Sequence, residues 1–157
     1  MSSDAPILAL DTASPVVSLA LGSAGRVLAS RTIELRQSSE RLLRQIDEVL
    51  TETGWHLGDL RGLVVLQGPG SFTGLRVGLG TALGLHQALG LPATALPTLD
   101  ILARSAKAEV SDGDTVTAVV DALRGEWMAR TFVFEGGEPQ PVDEASLRSD
   151  AVLVDAG

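Results

Sequence analysis

Over roughly the first thirty-five residues the chain alternates short apolar runs with tight turns. After residue 38 it changes to helical spacing. Ile7-Leu8-Ala9-Leu10 reads as a strand ending at Asp11-Thr12, and Ser14-Pro15 marks a turn. Val16 to Leu21 forms a second strand, Gly22 to Gly25 a second turn, and Arg26 to Leu35 a third strand. Such short connections predict an antiparallel meander. Ser38 or Ser39 is then placed to cap a helix, with Glu40 in the first turn, where its charge suits the helix dipole. Leu42, Leu43, Ile46, Val49 and Leu50 make one apolar face, and Gly54 suits the position just past the end. Arg41, Arg44, Asp47 and Glu48 fall on the opposite, solvated face.

A fourth strand, Gly62 to Leu66, leads through Gln67-Gly68-Pro69-Gly70-Ser71 into a second helix, Phe72 to Leu89, closed by Gly90 and Pro92. Thr98 begins a third, with Leu99, Leu102, Ala103 and Ala106 at helical spacing. Residues 108–114 are a polar break. Strands are predicted beyond it at Thr115 to Val120 and Trp127 to Phe134, with a further candidate at Ala151 to Val154. The order βββαβα plus a helix, followed by new strands, predicts two related α/β lobes, 1–110 and 111–157. A weak repeat supports this, because a strand ending in aspartate occurs at Asp11 and again at Asp121. A second lobe with strands and no helix leaves a sheet face to be covered by a partner or by more chain.

The second helix is unusual in carrying glycine at 74, 78, 80 and 84. Each costs about 0.5–1 kcal/mol relative to alanine in a helix interior. A second helix packed so closely that only a hydrogen fits would offset that loss. The apolar residues of this helix (Leu75, Val77, Leu79, Ala82, Leu83, Leu85, Ala88, Leu89) are not confined to one stripe, so it is expected to be covered on more than one side. One cover is its own sheet and the other a second protein.

Composition narrows the function. The chain has three Phe, two Trp and no Tyr, so its core is built from Leu, Val, Ile and Ala. With no cysteine it has no disulfide or thiol chemistry. No apolar run approaches the roughly 18 residues of a membrane span, and Met1-Ser2-Ser3-Asp4 lacks the regions of a signal peptide; the cytoplasm is the expected compartment. The net charge of −8 and the scattered arginines argue against a chain that grips nucleic acid unaided.

Candidate chemistry is sparse. Gly68 and Gly70 open a strand-to-helix loop whose backbone N–H groups suit an anion, although the Gly-Lys-Ser/Thr ending of a P-loop is missing. Asp11 and Thr12, echoed by Asp121, stand where a metal- and phosphate-facing acid sits in sugar kinases, although an aspartate at a strand end is more often a turn former. His56 and His86 lack metal-ligand spacing, and Ser71 and Thr73 have no neighbouring base. No catalytic residue and no metal site are expected.

Leu8-Ala9-Leu10-Asp11-Thr12-Ala13, Ser39-Glu40-Arg41-Leu42-Leu43, the long block from Gly68 to Gly78, and Val120-Asp121-Ala122 with Arg124-Gly125-Glu126 together resemble the bacterial TsaB (YeaZ-type) family. Gly-Pro-Gly-Ser-Phe-Thr-Gly-Leu-Arg is the most specific of these blocks. The resemblance runs from about residue 7 to the end of the chain. It implies the actin/Hsp70/sugar-kinase (ASKHA, ribonuclease H-like) fold, with a complete N-terminal lobe and a shortened C-terminal one. It also implies a role in making N6-threonylcarbamoyladenosine at position 37 of tRNA.

In that family the protein is a non-catalytic paralogue of the catalytic subunit TsaD and pairs with it through two N-lobe helices. An ATPase, TsaE, joins them, and TsaC supplies the threonylcarbamoyl-adenylate. The resemblance thus implies a homodimer when TsaD is absent, tRNA contact only through the complex, and ATP and Mg²⁺ only at an interface of the complex. Two features depart from the family pattern: Ser38 replaces a histidine and Arg44 a proline. Relatives usually continue well past Val154-Asp155-Ala156-Gly157 with further helices.

The expected partner surface comprises Leu42, Leu43 and Ile46 of the first helix with Phe72, Gly74, Leu75, Gly78, Leu79, Leu83 and Gly84 of the second. The alternatives are a nucleotide-dependent enzyme of the sugar-kinase type using Asp11 or Asp121 with Mg²⁺, and a glycoprotease-type metallopeptidase.

Overall fold

The computed structural model describes residues 4–14, 16–34, 39–123 and 126–148. Ser38, Pro15, Arg124-Gly125 and the candidate strand Ala151 to Val154 lie outside these residues. The chain divides into two compact units, Met1–Gln67 with Ser71–Leu96, and Gly68–Gly70 with Pro97–Gly157.

The first unit is a five-stranded mixed sheet in the order β3-β2-β1-β4-β5. Strands β1 (Ile7–Asp11), β2 (Val16–Ser23) and β3 (Arg26–Glu34) form the expected antiparallel meander. β4 (Gly62–Leu66) runs parallel to β1, and β5 (Ala93–Leu96) parallel to β4. Period-2 burial is clear in β1 and β2: Leu8, Leu10, Val17, Leu19 and Leu21 all point into the core. Helix α1 (Ser39–Thr53) packs on β2 and β3, and α2 (Phe72–Leu89) on β4 and β5, with a contact between the helices. Leu42, Ile46, Val49 and Leu50 join the same core cluster. Burying each such side chain stabilises the fold by about 1.5–3 kcal/mol. Gly54 ends α1 with φ +75°.

Helix α2 is held at both ends. The Ser71 hydroxyl accepts the Gly74 N–H at 3.2 Å, so Ser71 is its N-cap. At the other end Gly90 adopts φ +68°, and its N–H donates to the His86 carbonyl at 2.9 Å. The ring of His86 donates from Nδ1 to the Leu91 carbonyl at 2.6 Å, so this histidine serves the helix terminus. Between the caps, Gly74, Gly78 and Ala82 are buried. A Cβ on Gly74 would lie 1.9 Å from the Thr12 carbonyl oxygen, and one on Gly78 would lie 2.1 Å from Thr12 Oγ1. The backbone of α2 therefore rests directly on the residue that follows β1.

In the second unit β6 (Thr115–Leu123), β7 (Glu126–Glu135) and β8 (Glu138–Pro141) form an antiparallel sheet, with β9 (Ser146–Arg148) also pairing β7. Two expectations need correction here. Helix α3 (Thr98–Ser105) belongs to this unit, so the boundary falls before α3 and not near residue 110. The second sheet is accordingly not without a helix: Leu99 and Ala103 of α3 pack on Ala118 and Phe132. The element that covers the sheet precedes it in sequence, which is why a left-to-right reading assigned it to the wrong lobe.

Arg130 ties the layers of this unit together. It donates from Nη1 to Asp100 of α3 at 2.9 Å and from Nε to the Asp143 carbonyl at 3.0 Å. The Asp143 carboxylate accepts the Thr131 N–H at 2.7 Å and Arg148 Nη2 at 2.8 Å. The Thr131 N–H and, less strongly, the Arg148 guanidinium hold its pKa below the ordinary aspartate value. Glu138, hydrogen-bonded by Lys107 and close to Arg104, is likewise lowered.

Alanine at Gly74 or Gly78 is expected to destabilise the protein by roughly 1–3 kcal/mol, since its methyl group meets Thr12. Gly84, with open space beside it, is expected to gain about 0.5–1 kcal/mol on the same change. Urea unfolding of the three variants measures the contrast. Because Asp143 and Glu138 have lowered pKa values in the fold, the stability they contribute is complete above the ordinary carboxylate range. It is lost as pH falls through about 4 and below. The drop in unfolding temperature between neutral pH and about pH 3 should therefore be smaller in Asp143→Asn than in the parent chain.

Candidate functional site

The four glycines of α2 form two pairs, each one turn long. Gly74 and Gly78 face inward onto Thr12. Gly80 and Gly84 have no atom within 4 Å of where a Cβ would stand. Residues 74 and 80 are six positions apart, which at 3.6 residues per turn is about 120° around the helix axis. The outer pair floors an open groove of ≈ 670 Å³ between α1 and α2. Leu43 forms its α1 wall, and Thr73, Arg76, Val77, Thr81 and Leu85 complete it from α2.

Large apolar side chains stand exposed on the same helices. Phe72 is 75 % exposed, Leu83 55 % and Leu43 48 %, with Leu79 also exposed. Val77 and Leu85 are half-buried and packed against the core cluster, so they link the groove floor to the interior. The Arg76 guanidinium lies 5.6 Å from the centroid of the Phe72 ring, a cation–π distance. The site is thus a notched apolar surface whose groove carries one positive charge, Arg76.

The sequence-derived partner residues separate into two groups. Leu43, Phe72, Leu79, Leu83 and Gly84 lie on the exposed surface of α1 and α2. Leu42 and Ile46 do not: they are 5 % and 1 % exposed and belong to the core. Gly74 and Gly78 are likewise corrected, since Thr12 occupies the space a partner would need. Leu75 is half-buried. Gly80 and Arg76 were missed as site residues. The signal for Gly80 was its four-residue spacing from Gly84, and for Arg76 its place one turn before Gly80.

Among the residues considered for an anion, Asp11, Thr12 and Gly68 have local roles. Asp11 Oδ1 accepts the Ala13 N–H at 2.9 Å, an Asx-type turn. Thr12 is fully buried, and its hydroxyl, packed on Gly78, has no hydrogen-bond partner among the described residues. The Gly68 carbonyl accepts the Thr98 N–H at 2.9 Å, and Gly68 holds φ +103°, which its lack of a side chain permits. Gly70 belongs with Gly68 to the second unit, as does Asp121, which is exposed. Among the described residues no three His, Cys, Asp or Glu side chains are grouped to hold a metal ion. None of their helices is long and apolar enough to cross a membrane.

Comparison with known proteins gives consistent matches. The family model described as TsaD, tRNA N6-adenosine threonylcarbamoyltransferase, matches residues 27–149. The chain is 38% identical over 120 residues to the tRNA threonylcarbamoyladenosine biosynthesis protein TsaB of Escherichia coli (strain K12), covering 76% of this chain and 52% of that protein. It is 31% identical over 132 residues to the protein of the same name from Bacillus subtilis (strain 168), covering 83% and 56%. The solved structure of YeaZ from Pseudomonas aeruginosa superposes with a TM-score of 0.82 at 32% identity, covering 98% of this chain and 73% of that one. The chain spans about half the length of the curated relatives it matches.

Proposed function

We propose, since the chain belongs to the TsaD family and is of the TsaB/YeaZ type, that it acts as a non-catalytic scaffold subunit in the synthesis of threonylcarbamoyladenosine on tRNA. Its α1–α2 face receives a helical surface of the catalytic subunit TsaD. A second copy of the chain takes that place when TsaD is absent. The reading includes TsaE as a further partner, contact with tRNA only through the complex, a cytoplasmic location, and ATP or Mg²⁺ only where subunits meet.

One observation carries this reading. Gly80 and Gly84 form an unfilled notch on a helix face that also exposes Phe72 and Leu83. A helix gives up about 1–2 kcal/mol for two such glycines. Among the described residues no neighbouring atom occupies the space, so none of them recovers it. A second helix laid across the notch approaches closely enough to recover it through apolar contact, and its own apolar ridge covers the exposed rings and leucines. The net charge of −8 and the scattered placement of the basic residues support tRNA contact through a partner.

The test is a bulky residue in the notch. Gly80→Trp is expected to leave the fold and thermal stability near the parent values, because its side chain enters open space. It should reduce co-purification of TsaD at least tenfold. Undiminished pairing in a folded Gly80→Trp protein would refute the proposed face.

A further inference from the structure

We infer that Arg76 is the residue by which this surface prefers a partner helix bearing a carboxylate over a second copy of itself; the inference rests on the α1–α2 reading above. Arg76 is exposed, lines the groove one turn before Gly80, and has the Phe72 ring as its recorded contact. The carboxylates that form ion pairs among the described residues (Glu52, Asp100, Glu138, Asp143) are engaged by other cations. On the exposed stripe of α2, Phe72, Leu79, Gly80 and Leu83 are uncharged, and Arg76 is the sole charge.

A helix seated on Gly80 and Gly84 comes close enough to strip water from that guanidinium. An unpaired charge in such a position is costly. A carboxylate from the partner offers a short, charge-assisted and often bidentate bond in its place. When two copies meet with α2 against α2, each stripe presents an arginine and no acid, and the exposed acids Asp47 and Glu48 stay on α1, so the cost remains on both sides. The difference between the two cases is a selection against self-pairing. The occupant fitted best is therefore a helix with an apolar ridge and an Asp or Glu that falls opposite Arg76.

The experiment measures two affinities for the full chain: its self-association by sedimentation, and its binding to the TsaD protein of the same cell, each at low and high salt. Arg76→Leu is expected to weaken TsaD binding at least tenfold, flatten its salt dependence, and tighten self-association at least threefold. An unchanged ratio of the two affinities would overturn the inference. So would a self-pair that Asp47→Asn, altering the α1 acid four residues beyond Leu43, loosens tenfold, since Arg76 would then have an acid available in a second copy. Gly80→Trp separates the two levels of the argument. If it abolishes both associations while Arg76→Leu leaves their ratio unchanged, the face stands and the selection fails. If it leaves both associations intact, the face itself is wrong.

Discussion

The first unit is organised around the seat of α2 on Thr12. With no side chain at Gly74 or Gly78, the helix backbone lies against Thr12, the residue that follows β1, where a methyl group would fall about 2 Å from an oxygen. That contact fixes both the height of α2 above the sheet and its rotation. Its Ser71 cap and the hydrogen bond from the Ser71 N–H to the Ala13 carbonyl at 2.6 Å set the start of the helix beside the same residues. Once the inward face is fixed, the outward face follows from 100° per residue. Gly80, Gly84, Arg76 and Leu83 are displayed because Gly74, Gly78 and Ala82 cannot be anywhere but inside. Thr12, whose buried hydroxyl lacks a partner among the described residues, serves here as a packing residue of constrained shape.

Much of this was legible in the sequence. The helix Phe72–Leu89, the strand Gly62–Leu66 and the opening meander lie where turn chemistry and apolar spacing placed them. The weaker elements have physical reasons for escaping notice. β8 is Glu-Pro-Gln-Pro, and proline donates no hydrogen bond to a ladder. It is tolerated because β8 pairs with β7 alone among the described strands, as an edge position allows. β5 and β9 have four and three residues, too few to show a period. Helix α3 was found, but its partner sheet lies after it in the chain, and periodicity says nothing about which sheet a helix will cover.

The candidate site was half legible for a related reason. Excess glycine pointed to a second helix packed close on α2, but Gly74 and Gly78 instead admit Thr12 and Gly80 and Gly84 meet no described neighbour; a count cannot say which neighbour each glycine serves. On α1 the same ambiguity arises at adjacent positions. Leu42 and Leu43 are equally apolar, but 100° separates them, so one enters the core and the other is left at the rim. Reading Leu42, Leu43 and Ile46 as a single contact group merged a core stripe with a surface residue. The shift from −8 charge to a surface with one isolated arginine is also invisible in a sum over the chain.

A helix that keeps glycine on two faces carries a double conformational cost, and among the described residues only the Gly74 and Gly78 half meets a neighbour. Had all four glycines been needed for the internal seat, each would have a neighbour at contact distance; Gly80 and Gly84 have none. Had they been indifferent surface positions, there would be no reason for them to sit on one groove beside a phenylalanine three-quarters exposed. Helix formation at such positions favours alanine by the full propensity difference. The seat on Thr12 makes the outer surface rigid, and a rigid notch loses little further entropy when a second helix enters it. In the proposed pairing the internal contact is thus the precondition of the external one: the seat on Thr12 holds the groove in shape before any occupant arrives.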